Sequence, residues 1–437
     1  MVGLKWMFLF GKKRCKMSKV SIICAYNTKF GAFVEKDRET REIRDTKSYY
    51  ELLVEAGQGA LEDAGLQPEE IDGIWVGSCS PSMFLNQEHV GPLGVEVFPE
   101  AFRFLPTTRT EGACASSSVA LYNAVFGIES GRFKRLLVIG VEKMNLLSTG
   151  DMTHVLACSS HWPTEGSRGM TFPGLFAEYA KGYQAHYKFS DEELHRMLAA
   201  VAALCYRNGI QNPLAHFGPG SPPEKMGLVT ADAILGLPDA GKGGNPMIAP
   251  PLRLHDCSLV TDGAAALVLS ASDEVRGRER VVEIAGIGMT TERLPIEVRP
   301  NMHALVAGKQ AVAQSFAEAG ISLDDVDFAE VHDCFTINQV LSVEALGLSA
   351  DGQGGHDFVA GKYTPEDKCP INLSGGLKSK GHPVGATGAS MHALAYKQLV
   401  GEPIGVAPAK GTPEIGVVFN VGGSAVTNCL TTLRRIS

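Results

Sequence analysis

Two stretches of sixteen residues align without a gap at an offset of 255 positions. The first, Ala64 to Cys79, reads AGLQPEEIDGIWVGSC; the second, Ala319 to Cys334, reads AGISLDDVDFAEVHDC. Each carries a helix end at Ala-Gly, a turn with an acidic pair, an Ile/Val-Asp step, a short apolar run and a terminal cysteine. A period this long excludes a solenoid and implies two similar halves. The halves continue in parallel. In the first, GACASSSVALYNAVFGIESG reads as a turn and helix, followed by RLLVIGVE as a buried strand. In the second, the glycine-rich stretch Ser374–Ser390 leads into a helix from Ala386, and IGVVFNVGG follows at Ile415. Helices alternating with buried strands predict an α/β chain whose sheets are covered on both faces.

Further strands are predicted at Val20–Tyr26 and in DGAAALVLS from Asp262, and a helix over Thr46–Ala64, whose apolar residues lie near one face. Met144 to Pro251 differs in texture: it is rich in Pro and Gly and has one clear helical pattern, Asp191–Arg207. It reads as an inserted loop domain. The expected division is therefore an extension at 1–17, a first half at 18–143 and 252–275, an insertion at 144–251 and a second half at 276–437.

The formal charge of -8 over 437 residues argues against a nucleic-acid binder, which needs a basic surface. The ten cysteines are scattered, with neither a disulfide framework nor zinc-ligand spacing. Met1–Lys16 is basic and free of acids; it fits a mitochondrial presequence, with a cytoplasmic or peroxisomal location as the alternative. Its apolar run, Trp6–Phe10, is too short to span a membrane. The C-terminal RRIS is not the peroxisomal SKL signal.

Three motifs carry chemistry. Cys114 lies among small residues just before a helix, where the positive dipole end favours thiolate. That effect is worth only about 0.3–1 kcal/mol, so a basic partner is also needed. His382, in the glycine-rich loop GHPVGATGA, is the natural candidate, because glycine lets the backbone approach a ligand closely. His332 and Cys334, in HDCF, end a predicted strand, where α/β sheets form ligand sites. His-Asp-Cys also has the donor types of half a metal site. No second half is visible, so a proton-shuttling thiol fits better and no metal is assigned. If a pseudo-two-fold axis relates the halves, corresponding loops meet near it and Cys114 faces the other three. LHDC at Leu254–Cys257 repeats His-Asp-Cys but precedes a strand, so His255 and Cys257 are assigned to packing.

HDCF together with GHPVGATGA, DGAAA at Asp262, NVGG at Asn420 and the Cys114 turn resembles the thiolase superfamily, and within it the sterol-carrier-protein-2 type. The resemblance covers nearly everything after residue 19. It implies a five-layer αβαβα thiolase fold with a CoA-binding loop domain. It also implies CoA-dependent cleavage of 3-ketoacyl-CoA, or the reverse Claisen condensation, with no cofactor beyond coenzyme A as substrate. Cys114 would carry the acyl group, His382 would take its proton, Cys334 would move the second proton, and His332 would bind the thioester oxygen. The backbone N–H groups of Cys114 and Gly422 would form an oxyanion hole. Ser258 would contact pantetheine, with basic residues such as Arg207 or Lys225 at the phosphates. A homodimer is expected on the same ground. Most thiolases carry the second cysteine in a CxG motif; here that position reads Asn420-Val421-Gly422, and HDCF supplies Cys334 instead. No lipid-transfer domain is expected after the last predicted strand. The alternatives are a synthesis-only condensing enzyme and a catalytically silent acyl-CoA-binding protein.

Overall fold

The computed structural model describes residues 19–37, 39–40 and 42–437, so the basic leader lies outside the described residues. The first half contributes five strands to the main sheet: β1 (Val20–Asn27), β2 (Gly73–Gly77), β3 (Thr107–Thr110), β4 (Arg135–Glu142) and β5 (Gly263–Ala271). The second contributes β6 (Val282–Thr291), β7 (Phe328–Val331), β8 (Ile415–Gly422) and β9 (Thr427–Arg435). They hydrogen-bond in the order β7-β8-β9-β6-β1-β5-β4-β2-β3. Corresponding strands pair alike. β1 is antiparallel to β5 as β6 is to β9, and β2 is parallel to β4 as β7 is to β8. The two sheets touch at their edges, where Ser21 faces Glu283 and Ile22 faces Val282, so two expected sheets form one hydrogen-bonded run.

The sixteen-residue repeat is visible in three dimensions. Helix α1 (Tyr49–Ala64) ends at Gly65, and its counterpart Val306–Ala319 ends at Gly320, both glycines left-handed. A single 3₁₀ turn follows each, at Pro68–Glu70 and Leu323–Asp325, and then β2 or β7. Helix α2 (Ser116–Glu129) follows Cys114, and the helix Thr387–Leu399 follows the His382 loop. These two helices form the central layer: Tyr122 Oη meets Thr431 Oγ1 at 3.0 Å, and Ser118 Oγ donates to Asn420 Oδ1 at 2.7 Å. Gly388 makes this approach possible; a Cβ there would stand 2.6 Å from the Ser118 amide nitrogen.

Two expectations are corrected. The last strand is β9, not the run at Ile415; its Thr-rich sequence hides it, yet it is buried between β8 and β6. The insertion is more helical than its composition suggests, with helices Thr149–Ala157, α3 (Phe172–Tyr187) and α4 (Asp191–Gly209). Much of it packs into the second half: Phe176, Tyr183, Leu194 and Val201 share one apolar cluster with Phe335, Leu341 and Leu377, while a small cluster of Ala199, Ala202, Ala203, Tyr206, Leu228 and Ile234 is its own. Among the described residues no helix is long and apolar enough to cross a membrane.

Candidate active site

His332–Phe335 continues from the end of β7, and the His332 N–H still donates to Phe419 O at 2.9 Å. The next residue, Asp333, is buried and accepts the backbone N–H groups of Leu377 (2.6 Å) and Lys378 (3.0 Å). A Cβ on Gly376 would lie 2.3 Å from Asp333 Oδ2, so glycine is what lets this loop close on the carboxylate. HDCF and the His382 loop are thereby locked together. Beside them runs the segment Cys257–Ser258. Cys257 bridges to Phe335, and the Ser258 N–H donates to Cys334 O at 2.9 Å.

Cys114 sits in a single 3₁₀ turn, Ala113–Ala115, between β3 and α2. Burial pushes the thiol up to about 12, outweighing the helix start, so a base beside it is needed. Burial also pulls His382 down to about 3, with Lys380 nearby acting in the same direction. Both shifts favour the uncharged forms, thiol and neutral imidazole.

The two imidazoles are held in opposite tautomers. Thr387 Oγ1 donates to Pro383 O at 2.8 Å and lies 2.7 Å from His382 Nδ1. With its hydrogen committed, this hydroxyl accepts the Nδ1–H, and His382 Nε2 keeps a lone pair. Asn420 Oδ1 accepts from Ser118, which turns its amide nitrogen toward His332 Nδ1 at 2.9 Å. Nδ1 of His332 is thus an acceptor, and its proton sits on Nε2, a buried atom without a partner. One ring offers a base, the other a donor. They meet edge to face with centroids 5.1 Å apart, and ligand atoms of Cys114, His332 and His382 lie within 4.8 Å of one another.

A cavity of about 160 Å³ opens on this group, lined by Cys114, Cys334, His382 and Ser258. His332 stands behind them, fully buried. Gly422, the expected donor, is still paired in β8 and its Cα faces Gly112 O, while the next residue, Gly423, turns out and lines the cavity. Cys257 lines the cavity rather than serving only packing, because its bridge to Phe335 draws it beside Cys334. His255 does pack, against Tyr206 Oη at 2.7 Å. Arg207 and Lys225 are exposed and do not line the cavity.

Two family models match the chain: the thiolase N-terminal domain over residues 20–219 and the thiolase C-terminal domain-like model over 288–435. The chain belongs to the thiolase superfamily. It is 34% identical over 412 residues to an acetyl-CoA acetyltransferase of Methanothermobacter thermautotrophicus, covering 94% of this chain and 98% of that one. It is 28% identical over 378 residues to human sterol carrier protein 2, covering 82% of this chain and 63% of that protein. A solved structure described as an Ltp2-ChsH2(DUF35) aldolase has the same fold, with a TM-score of 0.76 at 18% identity over 95% of this chain and 98% of that one. This thiolase is an acyltransferase of acyl-CoA cleavage or condensation, with coenzyme A as substrate and no cofactor. The reading of its motifs did not foresee Asn420, Thr387 or Asp333 as positioning groups. Only Asn420 carried a signal, as the polar residue in place of the CxG cysteine. Cys79 also lines the cavity, and it is the repeat counterpart of Cys334.

Proposed function

We propose that this thiolase is a 3-ketoacyl-CoA thiolase of the sterol-carrier-protein-2 type, acting in lipid metabolism. The observation that carries the reading is the meeting of the Cys114 thiol, the His382 base and the Cys334 thiol at one cavity. Cys114 attacks the 3-keto carbon while its proton passes to His382 Nε2. The N–H groups of Cys114 and Gly423 receive the oxyanion. Collapse breaks the bond between carbons 2 and 3, leaving the acyl group on sulfur and the enolate of acetyl-CoA. The His332 Nε2–H and the His382 imidazolium hold the enolate oxygen, and Cys334 protonates its carbon. Incoming CoA then gives its thiol proton to Cys334 and its sulfur takes the acyl group. Cys114 recovers its proton from His382, so each group ends as it began.

Incubation with acetoacetyl-CoA and CoA, following loss of the 3-ketoacyl absorbance, tests this. Cys114→Ala should form no acyl-enzyme. Cys334→Ala should still acylate but turn over about 10²–10⁴-fold more slowly. Saturable CoA binding without turnover would point to a silent carrier. The outer edge of β3 and the neighbouring Phe104, 88% exposed, support a homodimer, which sedimentation would read as two chains. The basic leader supports a mitochondrial location, testable by microscopy of a tagged chain with and without residues 1–17.

A further inference from the structure

The fold brings to HDCF the partner donors that the sequence does not place beside it. Ligand atoms of Cys114, His332 and His382 lie within 4.8 Å of one another, and all three residues are buried. Thr387 engages His382 Nδ1 and Asn420 engages His332 Nδ1, so the nitrogens left to a ligand are the two Nε2 atoms. His332 Nε2 is buried without a hydrogen-bond partner. One thiol and two imidazoles are donor types that suit zinc. Zinc bonds of about 2.0–2.3 Å set tetrahedral donors about 3.3–3.6 Å apart, so these atoms need to draw in by about 1.5 Å at most. The cavity of about 160 Å³ beside them has room for a water at the fourth position, since a water takes about 30 Å³.

The three donors are not equally prepared. His382 Nε2 offers a lone pair as it stands, and Cys114 becomes a ligand by losing its proton. His332 Nε2 carries a proton, because the Asn420 amide nitrogen donates to Nδ1. An ion therefore needs the Asn420 amide to turn over, so that its oxygen accepts from Nδ1–H. The Ser118 hydroxyl, which now donates to Asn420 Oδ1 at 2.7 Å, must then become an acceptor. Besides burial, the Lys380 ammonium pulls both imidazoles down, and it opposes a cation here as well. No Asp or Glu lines the cavity to offset it.

We propose that Cys114 Sγ, His332 Nε2 and His382 Nε2 form an inhibitory site for a zinc-class divalent cation, and that Asn420 weakens it by keeping a proton on His332 Nε2. Binding breaks the Cys114 S–H bond and makes three metal–ligand bonds. The thiol proton leaves to solvent, the His332 proton passes from Nε2 to Nδ1, and no electron changes hands. The ion occupies the lone pairs of both nucleophile and base, so it blocks acyl transfer and takes no part in it.

Cobalt(II) is the probe, added to the full chain with its thiols reduced and oxygen excluded. A thiolate-to-cobalt charge-transfer band should appear, vanish when zinc is added, and be absent from Cys114→Ala. Zinc should also protect Cys114 from iodoacetamide, read by peptide mass spectrometry. Asn420→Asp gives His332 Nδ1–H a permanent acceptor and should bind cobalt about 10–100-fold more tightly. Asn420→Ala, which removes the donor alone, should shift affinity the same way. No band from the wild type in excess cobalt, or an undiminished band from Cys114→Ala, overturns the site. Equal affinity in the wild type and both Asn420 variants overturns the part given to Asn420. The proposal does not rest on the thiolase reading, because the band reports donors and not turnover. Metal-free protein that fails to cleave acetoacetyl-CoA counts against that reading alone.

Discussion

Asn420 decides where the proton of His332 resides, and it does so from the position where most thiolases carry a cysteine. Its amide is oriented by Ser118 and donates to His332 Nδ1. Asn420→Asp keeps the shape but replaces the donor with an acceptor, which draws the proton to Nδ1 and leaves a lone pair on Nε2. We expect kcat to fall about 10²–10³-fold, as for loss of one oxyanion donor, with KM less affected. Ring-nitrogen NMR shifts of His332 should report the changed tautomer; unchanged shifts with normal kcat would refute the assignment. Cys114, His332, Cys334 and His382 were legible in the sequence because each sits in a compact motif. Asn420 and Thr387 were not, because their role is a hydrogen bond whose partner the sequence does not identify. That Gly423 lines the cavity beside Gly422 was equally hidden: which of two adjacent glycines leaves the strand is decided by packing against Gly112.

The end of β4 shows how one element's terminus ties the halves together. Glu142 is fully buried and accepts the N–H groups of Cys79 (2.6 Å) and Gly385 (3.1 Å), one from each half, and the Ser78 hydroxyl (3.2 Å). Burial pushes its carboxyl up to about 7 despite these bonds. A raised folded-state pKa means the native state holds the proton more tightly than the unfolded chain. This contribution is full below the unfolded value and is lost as pH rises from about 4.5 through about 7. Glu142→Gln keeps an acceptor oxygen and removes the titration. It should therefore stabilise the protein at pH 8 relative to pH 5, by roughly 3 kcal/mol; urea melts at both pH values would show it, and equal offsets would exclude it. Elements with strong end signals were readable, such as α1 between its Ser48 capping box and Gly65. α3 was not, because Pro173, Gly174 and Gly182 weaken its helical pattern. Gly182 is there for packing: a Cβ would lie 2.5 Å from Met302 O.

The molecule as a whole shares its interior among all three parts of the chain. The central helices touch both sheets, β1 pairs with β6 across the halves, and the insertion contributes to the second half's core. The first half also closes a cluster almost entirely its own, from Tyr49 and Leu52 to Val141 and Val268, but the β1–β6 pairing and the central helices couple it to the rest, so the intact chain should unfold in one transition, with far-UV circular dichroism and tryptophan fluorescence coincident in urea. Residues 276–437 expressed alone should lack a cooperative melt; two separated transitions in the full chain would show independent halves instead. The duplicated architecture was legible from sixteen residues because caps, turn and strand all repeat. The sharing of the core was not, since an insertion's composition says nothing of the face it docks against. The repeat also leaves its mark inside the chamber, where Cys79 and Cys334, one period apart, both reach the same space. Cys79 lies near Ser80 and Ser159 and forms wall, while its twin stands beside the reactive sulfur. A doubled ancestor would have inherited each corner of its reaction vessel in duplicate. Both corners persist in one chamber, each on its own wall.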